Sequence, residues 1–291
     1  MTLFLDTRLQ AVGGDLSPVV NFFEGTSTEN YLTIPRQKML DAVQWKNVLI
    51  GTHGFNVDRA DGIASLSNWG SLLQFSTQDV FIGLLWPGDS AWAHGLDYGV
   101  EPQLADHAGA LLGPFLDVLL ANAASVSFAS HSLGARVILG TVKNMKRDPR
   151  RLILMAGAID DDCLSTEFQD VAERAGEISV LASQKDDVLA LSFPLGNVLA
   201  GIIDQGHPWW HGALGREGPA VPRPANFQGP YEIPSNWDYG HHHYLLDKPL
   251  STVPIPVPVY VPEEGAPLPT GGADGWQETW SAAFATTRFK G

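Results

Sequence analysis

The segment that decides the fold runs Val126-Ser127-Phe128-Ala129-Ser130-His131-Ser132-Leu133-Gly134-Ala135-Arg136-Val137-Ile138. Its first part is apolar enough for a buried strand, and its last part has the spacing of a helix. Between them lies Ser132, with small residues two positions before and two positions after it. A sharp turn from strand to helix requires such neighbours, because the two elements approach each other closely there. The segment therefore predicts a strained turn that presents the Ser132 hydroxyl at the end of a strand.

The rest of the chain supplies the elements that surround this turn. Between short apolar runs lie segments with an apolar residue every three to four positions, the pattern of an amphipathic helix, clearest over residues 104–119. Strands that alternate with such helices indicate an α/β fold with a mostly parallel, twisted central sheet and helices on both faces. The predicted strands are Asn47–Thr52, Val80–Trp86, Ser125–Ala129, Leu152–Ala156 and Ile178–Ala182.

The first predicted strand is followed by His53-Gly54-Phe55-Asn56. Together with Ser130-His131-Ser132-Leu133-Gly134, a form of Gly-x-Ser-x-Gly with serine first, this turn resembles the α/β-hydrolase superfamily, in its serine esterase and lipase-like branch. The resemblance implies the α/β-hydrolase fold and Ser132 as nucleophile. It also implies an oxyanion hole formed by the backbone N–H groups of Phe55 and Leu133. His53 is too close to this turn to be the base, and we expect it to be a structural group.

A turn after the fifth predicted strand carries two adjacent carboxylates, Asp186 and Asp187. The superfamily commonly places its acid on such a turn, so the resemblance points to Asp186, with Asp187 as an alternative. Asp160, with its neighbours Asp161 and Asp162 after the preceding strand, is a second alternative, because some relatives carry the acid there. For any of these aspartates, a purely structural role as N-cap of the next helix is an ordinary alternative.

The order of the three residues along the superfamily's chains is Ser, Asp, His, so the base is expected after Asp186. Three consecutive histidines, His241, His242 and His243, stand there before an apolar stretch. A His-x-Tyr pattern points to His242, and His241 is the alternative. Adjacent residues in an extended chain face opposite sides, so three in a row seldom bind one metal ion. We therefore expect no metal and no cofactor.

The resemblance implies hydrolysis of a small-molecule carboxylic ester through an acyl-enzyme intermediate, with Ser132, His242 and Asp186 as the triad. Hydrolysis of an amide, a peptide or a thioester is an alternative, because the fold does not select the reaction. A non-catalytic binding protein that keeps the turn for structural reasons is a further alternative.

The bulk composition excludes several classes of protein. Of 291 residues, 44% are hydrophobic and 17% are charged, which predicts a folded chain. The formal net charge of -14 repels the phosphate backbone, so no nucleic acid is expected as partner. A single cysteine, Cys163, excludes an intrachain disulfide and favours a reducing compartment. With no signal-like start and no long apolar run, the chain is predicted to be cytoplasmic and to lack a membrane span.

We predict a single domain over residues 1–291. Proline, glycine and tryptophan are dense over residues 205–240, which predicts a cap or a long loop. Residues 249–270 alternate proline with apolar residues, which predicts an extended C-terminal arm.

Overall fold

A computed structural model describes residues 1–13, 15–73, 75–89, 101–191, 212–228, 231–233, 235 and 239–245. The predicted arm at residues 249–270 lies outside these residues, as do residues 205–211, 229–230, 234 and 236–238 of the predicted cap.

The regular elements follow one another as alternating strands and helices through most of the chain. The strands are β1 (Thr2–Arg8), β2 (Leu16–Gly25), β3 (Leu32–Thr33), β4 (Asn47–Thr52), β5 (Asp79–Leu85), β6 (Ser125–His131), β7 (Arg151–Met155), β8 (Glu177–Leu181) and β9 (Phe227–Gln228). The helices are α1 (Arg36–Val43), α2 (Arg59–Leu72), α3 (Glu101–Leu119), α4 (Gly134–Lys143), α5 (Gln169–Arg174) and α6 (Leu214–Glu217), with 3-10 turns at Thr28–Asn30 and His241–His243.

The strands form a single sheet in the order β3-β2-β1-β5-β4-β6-β7-β8-β9. In this spatial order, every neighbouring pair from β1 through β5 to β9 is parallel. Only the hairpin pairs β1–β2 and β2–β3 are antiparallel. The predicted mostly parallel sheet is confirmed, and all five predicted strands are present. The N-terminal hairpin was not predicted from the sequence, although β1 lies inside the sheet beside β5.

The chain order explains why helices cover both faces of this sheet. Along the strand order, the crossover from β4 to β5 through α2 runs toward β1. The later crossovers through α3, α4 and α5 run toward β9. Because such crossovers are right-handed, opposite directions place the helices on opposite faces. The central strands are accordingly buried on both sides, and all six residues of β4 are buried.

The described part of the predicted cap belongs to the body of the fold. Strand β9 pairs with β8 at the edge of the sheet, and Leu214 in α6 is fully buried. Among the described residues, no helix combines the length and the apolar character needed to cross a bilayer.

Candidate active site

Ser132 lies in a strained turn at the carboxyl end of β6. Its φ angle is 53°, in the left-handed region that non-glycine residues rarely adopt. The turn is held from both sides of the residue: the Ser132 N–H donates to the Met155 carbonyl at 3.0 Å, and the Ser132 carbonyl accepts from the Ala158 N–H at 3.1 Å. The predicted strained turn from strand to helix is therefore present, and the strain is maintained by hydrogen bonds to the segment around the end of β7.

Two glycines allow the turn after β4 to approach Ser132 and the start of α4 closely. A Cβ on Gly54 would lie 2.6 Å from the Ser132 Cβ, and a Cβ on Gly134 would lie 2.4 Å from the His53 carbonyl oxygen. Both distances are shorter than a side chain can tolerate. The turn after β4 and the start of α4 therefore pack against each other with no room for larger residues.

Three side chains form a continuous chain of hydrogen bonds at this turn. Ser132 Oγ lies 3.0 Å from His241 Nε2, and His241 Nδ1 lies 2.7 Å from Asp186 Oδ2. A carboxylate oxygen accepts, so Nδ1 donates to Asp186 and Nε2 of the same ring is left to accept from the serine hydroxyl. All three side chains are buried, and Asp186 is fully so. This is the arrangement in which an imidazole can remove a proton from a serine.

The histidine in this arrangement is His241, so the sequence-based choice of His242 is corrected. The three rings of the triplet point to different surroundings. His242 is exposed to solvent. His243 Nδ1 accepts a hydrogen bond from the Gly240 N–H at 2.9 Å. The triplet forms a 3-10 turn rather than an extended segment, and within that turn only His241 is buried.

Asp186 was the first choice for the acid, and the structure brings it to His241. Its other oxygen, Oδ1, accepts from the Leu189 N–H at 2.9 Å, where helical residues 187–191 begin. Asp186 is therefore also the N-cap of that helix, as the alternative interpretation suggested. Asp187 is exposed, and Asp160 is paired across a β-bridge with Ala213.

The turn after β4 is oriented by His53. The Gly54 carbonyl lies 2.9 Å from His53 Nδ1, which therefore carries the hydrogen, and the Trp86 N–H lies 3.4 Å from Nε2. Burial lowers the pKa of His53 to about 3, so the ring is neutral. In a trans peptide the carbonyl and the next N–H point in opposite directions. The bond to Gly54 therefore directs the Phe55 N–H away from His53.

A buried arginine from the N-terminal hairpin holds the next residues of the same turn. Arg8 donates from one guanidinium nitrogen to the carbonyls of Val57 and Trp86, at 3.0 and 2.9 Å, and forms an ion pair with Asp89. The Asn56 N–H donates to the Gly88 carbonyl at 2.6 Å. The turns after β1, β4 and β5 are thus tied together at the carboxyl edge of the sheet.

The sequence model of a family described as "Alpha/beta hydrolase of unknown function (DUF900)" matches residues 33–218, which is more than half of the chain. The chain belongs to this α/β-hydrolase family. No curated protein matches it in sequence.

Two solved structures resemble parts of this α/β hydrolase. MenH from S. aureus is 15% identical, with a TM-score of 0.28, over 53% of this chain and 81% of that one. Dipeptidyl peptidase 4 from Porphyromonas gingivalis is 12% identical, with a TM-score of 0.31, over 62% of this chain and 30% of that one. Both TM-scores are low, so the family assignment rests on the sequence match.

Among the side chains that the structure describes in this α/β hydrolase, no three His, Cys, Asp or Glu residues are grouped as metal ligands would be. Two residues of the site carried no role in the sequence interpretation. Arg8 could have been suspected because it follows an apolar strand-like run, where a charged residue needs buried partners. His131, inside the serine motif itself, had only its proximity to Ser132 as a signal.

Proposed function

We propose that this α/β hydrolase cleaves small-molecule carboxylic esters through an acyl-enzyme intermediate formed on Ser132. The observation that carries the proposal is the 3.0 Å contact between Ser132 Oγ and His241 Nε2, on a residue held at a φ angle of 53°. A serine needs neither a histidine partner nor a strained backbone to fill a core. Both features are what an activated nucleophile requires.

The proposed reaction begins when the Ser132 hydroxyl attacks the ester carbonyl and gives its proton to His241 Nε2. Asp186 stabilises the imidazolium that forms, through the 2.7 Å bond to Nδ1. The carbon–oxygen bond to the alcohol then breaks, and His241 returns the proton to the departing oxygen. A water molecule repeats these steps on the acyl-enzyme and releases the acid.

We propose that the backbone N–H groups of Phe55 and Leu133 stabilise the oxyanion. Leu133 is the N-cap residue of α4, where the helix dipole favours negative charge. The Phe55 N–H belongs to the peptide that His53 orients, and Gly54 in the same turn packs against Ser132. Loss of one oxyanion donor costs about 3 to 4 kcal/mol of transition-state stabilisation in enzymes of this kind.

Esters are the proposed substrate class because an alcohol leaves the tetrahedral intermediate more readily than an amine does. The test is hydrolysis of p-nitrophenyl esters of increasing acyl length, measured beside the p-nitroanilide of the same acid. We expect turnover of at least the short esters and a much lower rate for the anilide.

Ser132→Ala is the decisive variant, with Ser71→Ala as its control, because Ser71 is an exposed serine in α2. We expect Ser132→Ala to remove both ester turnover and covalent labelling by a fluorophosphonate, with unchanged circular dichroism. Ser71→Ala should keep both activities. Turnover or labelling retained in Ser132→Ala would refute the proposal. Faster cleavage of the anilide than of the ester would show that amides, rather than esters, are the substrate class.

A further inference from the structure

The ring of His131 lies between the turn after β4 and the 3-10 turn that carries His241. On one side it reaches the turn after β4, where a Cβ on Gly54 would be 3.3 Å from His131 Nδ1. On the other side its Nε2 lies 2.9 Å from the main-chain carbonyl of His241, with the two ring centroids 4.8 Å apart. The proposed nucleophile is its immediate neighbour in the chain, so one short segment lies against both the turn after β4 and the 3-10 turn of His241.

The chemistry of the two atoms decides which of them donates. A carbonyl oxygen only accepts, so His131 Nε2 must carry the hydrogen. Burial, together with the nearby His241, lowers the pKa of His131 well below its usual value. A lowered pKa favours the neutral ring, which donates from Nε2.

This hydrogen bond addresses a weakness in how His241 is held. Its element is a single 3-10 turn of three residues, which has few backbone hydrogen bonds of its own. The side chain of His241 is bound at both ring nitrogens, by Asp186 and by Ser132. The bond from His131 adds a third attachment, on the main chain, and three attachments fix the ring in position and orientation.

We propose that His131 is a positioning residue, which holds His241 in line with Ser132 by donating a hydrogen bond to the His241 main-chain carbonyl. The role builds on the proposed function, because it acts through His241. It explains why a polar ring, rather than an apolar side chain, fills this buried place. A side chain that only filled space would serve equally well without a donor.

The test compares two replacements of similar length that differ in the donor. His131→Gln keeps an N–H group near the position of Nε2, whereas His131→Met has none. Steady-state ester hydrolysis gives kcat and KM for both, and thermal unfolding shows whether each variant is folded. We expect kcat to fall about tenfold in His131→Met and to stay within about threefold of wild type in His131→Gln, with KM unchanged in both.

A second readout does not depend on activity. The proton in the short bond between His241 Nδ1 and Asp186 should give a low-field proton resonance, identified by its loss in His241→Ala. It should persist in His131→Gln and broaden or disappear in His131→Met. Two folded variants with the same kcat and the same resonance would overturn the positioning role. If the wild type neither turns over esters nor reacts with a fluorophosphonate, the hydrolase proposal fails, and the resonance still decides whether His131 holds His241.

Discussion

Asp186 accepts a hydrogen bond from His241 Nδ1 at 2.7 Å while it is completely buried. Its second oxygen caps the helical residues that follow, through the Leu189 N–H. The carboxylate therefore joins the 3-10 turn of His241 to the start of the helical residues that follow β8. Asp186 can therefore act both in the proposed triad and as an N-cap, because each role uses a different carboxylate oxygen.

This double role makes Asp186→Asn an informative variant. Asparagine is as good an N-cap as aspartate, so the fold should be retained. Its amide cannot act as the carboxylate does, and it favours the wrong tautomer of His241, so we expect kcat to fall by roughly 10⁴-fold. Asp187→Asn, at the exposed neighbouring position, is the control and should behave as wild type. Equal activity of the two variants would remove Asp186 from the mechanism.

The histidine triplet gives an equally direct comparison. His241→Ala removes the proposed base, and we expect kcat to fall by roughly 10⁴- to 10⁶-fold. His242→Ala changes an exposed residue and should leave kcat within about twofold of wild type. The rate of fluorophosphonate labelling, measured by mass spectrometry, tests the expectation for each variant. A larger loss of kcat in His242→Ala than in His241→Ala would support His242, the choice made from the sequence, as the base.

The sequence was sufficient to select Ser132 and Asp186, the two side chains that the structure brings to one histidine, because both follow buried strands, whose apolar runs are easy to recognise. The position of each strand end determines where its turn lies, and parallel strands bring those turns to one edge of the sheet. The choice between His241 and His242 had no such support. It depends on which ring faces the sheet within one 3-10 turn, and a one-residue shift changes the answer without changing the composition.

The N-terminal hairpin shows a second limit. Strand β1 lies beside β5, far from it in the sequence, and no local pattern encodes that pairing. The role of Arg8 follows from the pairing, because its contacts at Val57 and Trp86 are 49 and 78 residues away in the chain. Contacts of this kind become visible only when the strand order is known.

The close approach at Gly134 predicts a sensitivity that a second glycine of the same helix lacks. In Gly134→Ala the new Cβ would lie 2.4 Å from the His53 carbonyl oxygen, so we expect a loss of about 1 to 3 kcal/mol in the free energy of unfolding. In Gly140→Ala the nearest atom is 3.7 Å away. That change should be neutral, or stabilise by up to about 1 kcal/mol through helix propensity. Urea unfolding of both variants measures the difference, and similar losses in the two would contradict the packing argument.

The buried state of His53 predicts a loss of stability in acid. Its pKa is about 3 in the folded protein because of burial, against 6.5 when it is not buried. Below pH 6.5 the unfolded chain therefore takes up a proton that the folded protein refuses, and the free energy of unfolding falls with pH until about pH 3. The contribution of His53 approaches about 1.4 kcal/mol per pH unit over this range. His131, whose pKa is lowered in the same direction, adds to the trend.

His53→Asn isolates this contribution, because asparagine retains an N–H donor close to the position of Nδ1 but does not titrate. Urea unfolding at several values between pH 7 and pH 4.5 gives the slope of stability against pH for each protein. We expect the variant to be less stable at pH 7, since Trp86 loses the ring stacked against it. Its slope in acid should be shallower than that of wild type by up to about 1.4 kcal/mol per pH unit. Parallel slopes would mean that His53 takes up its proton in the folded protein as readily as in the unfolded chain. The conclusion that the His53 ring is neutral in the turn after β4 would then be wrong.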